Sequence, residues 1–330
     1  MKSEHDSGHA SRRLSDIGYA ILGKLLSLLA RLPLRGLYIL SDILFILAYH
    51  LVRYRRKVAE KNIADSFPAR PEAERKAIVR SFYRNLTDIF VETVKLLHIS
   101  DGEMKRRMEF RNVELIDRFI EEGRSVCIYF SHCGNWEWTP SVTLWSRYLL
   151  TDKHVKGGQV YRPLRNGWFD KWYLRLRSRF GTVSYPKRTV FRDLIKARRE
   201  GLVTVTGFMS DQKPSHGDPT YVTTFLNHPT AMITGTETLA RKLDMAAVYW
   251  DMEKISRGHY RVTVRLVADN PSGLEPMVLT DRYTRMLEAT IERQPSIWLW
   301  THKRWKNPVT LPAVAPDQPS PSAPQNTPDK

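Results

Sequence analysis

The sequence predicts an α/β protein with a layered central β-sheet and helices on its faces. Three observations lead there. From Val126 onward, short apolar runs alternate with segments of helical spacing. At 330 residues and 42% apolar, the chain can bury one large core. Three of the apolar runs also stop in clusters of polar residues, the pattern of strands that end at a ligand-binding sheet edge.

Residues 1–57 are read as a loose start followed by membrane-associating helices. The first dozen residues are polar. From Leu14 to Leu32, the apolar residues Leu14, Ile17, Ile21, Leu25, Leu28 and Leu32 recur at helical spacing with Lys24 and Arg31 among them, which predicts an amphipathic interfacial helix. The run from Leu37 to Val52 is more apolar, although Ser41, Asp42 and His50 interrupt it. It falls short of the roughly 20 residues a full span needs, so it either dips into the membrane or spans it. Arg53, Arg55, Arg56 and Lys57 follow directly and place the next domain on the cytoplasmic side. In the competing reading both runs are ordinary core helices.

The main domain is drawn at 58–311. A break containing Ser66-Phe67-Pro68 precedes a helix from about Pro71 to Leu97, with Ala77, Ile78, Phe82, Leu86, Ile89, Phe90 and Val94 on its apolar face; Leu115–Glu122 is a further helix. The predicted strands are Val126–Phe130, Gly157–Tyr161, Thr182–Tyr185, Leu202–Phe208, Ala246–Trp250 and Tyr260–Leu266. Helices are expected between or after them at Trp136–Leu149, Asn166–Phe180, Thr189–Arg199, Ile233–Leu243 and Leu279–Arg293. Residues 312–330, rich in Pro, Ser, Gln and Asp, are expected to be a disordered tail.

The first polar strand end is Ser131-His132-Cys133-Gly134-Asn135-Trp136-Glu137. With 10 His and 35 acidic residues, a His and an acid five apart arise about once by chance, and His98 with Glu103 is such a pair. Context separates the two, because His98 follows a helical pattern whereas His132 follows a short apolar run and precedes Gly134. On one continuous helix, five residues rotate roughly 500° and leave the side chains ~140° apart. A turn is needed. Gly134 can supply φ > 0 and Asn135 an N-cap, which lets Glu137 approach the imidazole. Such a carboxylate orients the ring and stabilises its protonated form, making His132 a general base. The competing reading is a structural histidine.

The second cluster is Tyr161-Arg162-Pro163-Leu164-Arg165-Asn166, where two guanidiniums beside a helix start suit a phosphate or carboxylate, or else form a solvated basic turn. The third is Ser210-Asp211-Gln212-Lys213. Asp211 is expected to bond a substrate hydroxyl or brace the Arg162 loop; a metal is not expected, since no His/Asp set at ligand spacing accompanies it. Cys127 and Cys133 lack metal-ligand spacing and fit a reducing compartment, with Cys133 as a nucleophile weighed and set aside. A formal charge of +17 calls for an anionic partner or surface. Nucleic acid is not expected, because finger spacing, an RNP-like strand and a GxxG clamp are all missing; the apolar N-terminal region points to an anionic membrane.

The ordered set of motifs resembles one family. Leu40-Ser41-Asp42, Arg53-Tyr54-Arg55, Asn62 through Ser66-Phe67-Pro68, Phe82-Tyr83-Arg84-Asn85, His132 to Glu137, Tyr161-Arg162-Pro163 with Asn166, Asp211-Gln212, Thr234-Gly235 and Trp300-Thr301-His302-Lys303-Arg304 together are similar to the late acyltransferases of lipid A biosynthesis. The resemblance implies a glycerophosphate-acyltransferase-like fold, a His-x4-Asp/Glu dyad of His132 and Glu137, an acyl carrier protein thioester as donor, a phosphorylated lipid A precursor as acceptor, and the cytoplasmic face of the inner membrane. No cofactor is implied. The residue after the histidine, often aromatic in that family, is Cys133 here.

On this reading His132 takes the proton of an acceptor hydroxyl as it attacks the thioester, and Glu137 holds the imidazolium. Backbone N–H groups at Asn135, or Arg162, face the oxyanion. Arg162, Arg165 and Lys213 neutralise lipid phosphates, while Asn135, Asn166, Asp211 and Gln212 complete the substrate site. The alternatives are an acyl-CoA donor with a phospholipid or aminolipid acceptor, a basic nucleic-acid-binding protein, and a membrane scaffold.

Overall fold

The computed structural model describes residues 3–311, with side chains from residue 17 onward. The chain opens with a helical platform: α1 (Ser3–Arg31), α2 (Leu34–Phe45) running on through a wider turn to Leu51, α3 (Arg56–Ser66) and α4 (Glu72–Lys95). Helix α1 takes in most of the stretch read as loose, and the proposed tail at 312–330 lies outside the described residues. Pro33, which lacks an N–H, sits between α1 and α2.

One side of the two leading helices packs on the protein through Ala30, Leu34, Leu37 and Phe45, while many of their other apolar positions are left uncovered. Ile17, Ile21, Leu25 and Leu28 on α1 are exposed, as are Ile39, Ile43, Ile46 and Leu51 along α2 and its extension. The stretch Leu34–Leu51 is long and apolar enough to cross a membrane, and only 28% of it is buried. Exposed apolar surface on this scale suits contact with lipid. Of the polar residues that interrupt it, Ser41 turns inward and donates to Asp88 of α4 at 2.8 Å, the exposed Asp42 is bridged to Asp88 by Arg257, and His50 is exposed.

The α/β part follows as α5 (Asp101–Arg107), β1 (Met108–Arg111), α6 (Glu114–Glu121), β2 (Val126–Phe130), β3 (Val155–Tyr161), α7 (Gly167–Arg177), β4 (Val183–Pro186), α8 (Val190–Arg199), β5 (Val203–Met209), β6 (Thr220–Phe225), β7 (His228–Ile233), α9 (Gly235–Lys242), β8 (Ala246–Ser256), β9 (His259–Ala268) and α10 (Val278–Arg293). Seven strands form one sheet in the order β1-β9-β8-β2-β5-β3-β4, and β6 with β7 form a separate hairpin. Strands β8, β2, β5, β3 and β4 run parallel, whereas β9 is antiparallel to β8 and β1 follows β9.

All six predicted strands are present. β1 and the β6–β7 hairpin were not anticipated, and the helix expected at Trp136–Leu149 is a 3₁₀ stretch, Trp136–Leu144, with Pro140 inside it. Proline removes a backbone donor and clashes with the preceding turn, so a regular α-helix does not form there.

The strand order fixes where a site can be. The chain leaves β2 for β3 on one side, and leaves β5 for β8 on the other, so the adjacent ends of β2 and β5 mark the point where connections diverge. A crevice opens at such a point. Phe130 pairs with Met209, which brings the residues two further on, His132 and Asp211, level with each other beyond the sheet edge.

Candidate active site

His132 leaves β2 after Ser131, and the loop behind it is tightly held. Gly134 has φ 54°, and a Cβ there would lie 2.8 Å from Cγ of Met252, so this turn requires glycine. The Gly134 N–H donates to the Ile297 carbonyl at 2.9 Å, and Cys133 bridges Trp298. The loop after β2 is thereby pinned to the C-terminal segment 295–305.

The imidazole is gripped by Asp211. Nδ1 lies 2.9 Å from Asp211 Oδ1, while Oδ2 accepts the His132 backbone N–H at 3.0 Å and the Trp298 indole N–H at 2.9 Å. Burial alone would raise the Asp211 carboxyl; the charge of His132 and the hydrogen bonds from its ring, from Trp298 and from the His132 backbone offset this and hold it at about 2. An ionised carboxylate only accepts, so Nδ1 is the donor to it, and in the neutral ring the lone pair lies on Nε2. Gln212 Nε2 is 3.1 Å from Nε2, and the Trp136 ring stands edge-on 5.1 Å from the imidazole.

Glu137 lines the same cavity as His132 but is not the partner of the ring. Its carboxylate is forked by Arg177 of α7, with Nη2 to Oε1 at 2.7 Å and Nε to Oε2 at 2.9 Å. Two parallel charge-assisted bonds fix this group firmly. The expected His132–Glu137 contact is therefore replaced by two separate pairs, His132 with Asp211 and Glu137 with Arg177.

The other sequence-derived residues divide. Arg162, Gln212 and Lys213 line the cavity together with His132 and Glu137. Asn135 does not: it is fully buried, caps nothing, and its amide donates to Glu92 at 2.8 Å. Asn166 accepts the N–H groups of Trp168 and Phe169 as the cap of α7 and donates to Tyr19 of α1, so it serves helix geometry. Arg165 is exposed and outside the cavity lining. Asp211 has no bond to Arg162; it is buried, and both its oxygens accept N–H groups of His132 and Trp298. Cys133 is buried and its thiol is pushed up by burial, which removes the nucleophile reading. Sequence reasoning missed Arg177 and the bond from Trp298 to Asp211; neither pairing has a local signal, because each residue meets its partner across long stretches of chain.

The cavity holds about 630 Å³, within the range of small-molecule sites, which runs from about 300 to 1,000 Å³. Its mouth is polar and its interior is greasy. Ile128 and Gly207 are register partners on β2 and β5, Gly157 pairs with Val205, and these floor residues face Pro140 and Val142 of the 3₁₀ stretch, with Leu149 beside them. The two glycines keep the floor low. A Cβ on Gly207 would come 3.0 Å from the Phe130 ring, and one on Gly157 3.1 Å from Leu149.

An imidazole paired with a carboxylate beside an apolar chamber suits transfer of a fatty chain to a hydroxyl. Residues 9–307 match the family model for bacterial lipid A biosynthesis acyltransferases. The chain belongs to that family. Among curated relatives it is similar to the lipid A biosynthesis acyltransferase of Haemophilus influenzae, with 23% identity over 274 residues covering 81% of this chain and 80% of the relative. It is also similar to the lipid A biosynthesis palmitoleoyltransferase of Escherichia coli, at 22% identity over 277 residues covering 84% and 87%. This lipid A acyltransferase family member is accordingly an O-acyltransferase.

Proposed function

We propose that the protein moves a fatty acyl chain from an acyl carrier protein thioester onto a hydroxyl of a phosphorylated lipid A precursor, at the cytoplasmic face of the inner membrane. The observation that carries this reading is the His132–Asp211 pair at the mouth of the apolar cavity. The acyl chain lies along the floor made by Ile128, Gly157, Val205 and Gly207, which places its thioester carbonyl near the imidazole.

The acceptor hydroxyl takes the position beside Nε2 that Gln212 now occupies. As its oxygen forms a bond to the carbonyl carbon, its proton passes to Nε2, and Asp211 stabilises the resulting imidazolium. The tetrahedral oxyanion is met by the unbonded N–H groups at the start of the Trp136 stretch or by Arg162. Collapse breaks the C–S bond, and the imidazolium returns the proton to the leaving thiolate. No enzyme-bound acyl intermediate is required. Glu137 keeps Arg177 in place at the wall of the chamber, and Arg162 with Lys213 supplies positive charge at its mouth for lipid phosphate or the acidic carrier protein.

Mass spectrometry of lipid extracts tests this. Cells carrying the active protein should gain a lipid A species heavier by one acyl chain, and His132→Ala should abolish the gain. An increment that survives His132→Ala overturns the reading. With purified protein, turnover of acyl-CoA in place of the carrier thioester would reassign the donor.

A further inference from the structure

A second hollow lies at the end of the apolar α2 extension. It measures about 460 Å³ and is lined by Arg53, Arg55, Arg56, Lys57, Val58 and Glu60. Arg56 is paired with Glu60 at 2.8 Å, but among the described residues Arg53, Arg55 and Lys57 have no carboxylate partner. Three cations facing one hollow repel each other unless an anion joins them.

The turn that gathers them is held by the rest of the protein. Arg53 and Arg55 both adopt left-handed backbone, φ 53° and 49°, which residues with a Cβ rarely take. The buried Tyr83 hydroxyl donates to the Tyr54 carbonyl between them, and Arg55 Nη1 donates to the Thr301 carbonyl at 3.3 Å. Strain kept in place by long-range contacts is a mark of a functional segment. Thr301 belongs to the same short loop as Trp298, whose indole bonds Asp211, so the hollow and the catalytic pair share one structural support.

We propose that this hollow binds a phosphate group of the acceptor lipid, an inference that rests on the function proposed above. Guanidinium forks match phosphate oxygens bidentately, and the hollow adjoins the end of a helix suited to the bilayer, the level at which a lipid phosphate sits. Bulk anionic phospholipid offers the same chemistry; the loop shared with Asp211 is what favours the acceptor.

The test uses the full chain in phosphatidylcholine vesicles, with a carrier-protein thioester and the acceptor in its phosphorylated and phosphatase-treated forms. Wild-type protein should show a KM for the phosphorylated form lower by roughly tenfold, and the Arg53→Gln/Lys57→Gln variant should bring that ratio to about two or three. Because the ratio is read within each preparation, partial unfolding of the variant does not alter it. A ratio equal in variant and wild type overturns the proposal. So does an equal ratio accompanied by lost binding to phosphatidylglycerol vesicles, which assigns the hollow to bulk lipid. If wild-type protein acylates neither acceptor form, the proposed function itself fails and this inference goes with it.

Discussion

At the end of β2, Glu137 gives both oxygens to the Arg177 guanidinium; at the end of β5, Asp211 gives both to the N–H groups of His132 and Trp298. Both carboxylates are buried on the rim of one site, yet they have different tasks. A fork cation neutralises Glu137, so little of its charge reaches the imidazole. Asp211 is hydrogen-bonded by neutral donors and the ring and forked by no guanidinium, which leaves its charge able to stabilise an imidazolium. Chain proximity to a base therefore does not identify its partner; adjacency of strands does.

The comparison can be broken by substitution. We expect Asp211→Asn to have the largest effect, a loss of about 10²–10⁴ in the rate of acyl transfer, because the amide no longer fixes the tautomer or balances the imidazolium. Glu137→Gln is expected to cost roughly tenfold, mainly in KM, since it leaves Arg177 unpaired beside the acyl chamber. Single-turnover rates and KM values on the same acceptor separate the two. The comparison is sharpened by Trp298→Phe, which removes one of three N–H donors from Asp211 and should lower the rate only about threefold. An order reversed between Asp211→Asn and Glu137→Gln would return the dyad to the His-x4-Glu motif.

Much of the sheet was legible because its strands are short apolar runs stopped by polar clusters; Val126–Phe130 is an example whose bounds agree with the structure. The β6–β7 hairpin was not. Its two-residue turn, Leu226-Asn227, takes positive φ at both positions without a glycine to announce it, and Thr220–Phe225 lacks the apolar density of the core strands. The position of His132 at a strand end was legible from its context, as were Arg162, Gln212 and Lys213 on the cavity wall. Its partner was not, because β5 inserts between β2 and β3, and nothing near Val126–Phe130 in sequence records that neighbour. Asn135 and Asn166 were misread for a shared reason: a polar side chain at a strand end serves a loop or a helix cap as readily as a substrate.

The central claim is that Asp211, and not Glu137, holds the His132 ring. Nitrogen-15 NMR of the full chain with labelled histidine, the His132 signals assigned by their loss in His132→Ala, tests it without reference to turnover. We expect the neutral ring to be protonated at Nδ1 in the wild-type protein and in Glu137→Gln, and to lose that tautomer in Asp211→Asn. Ring signals that shift in Glu137→Gln and stay put in Asp211→Asn would contradict it.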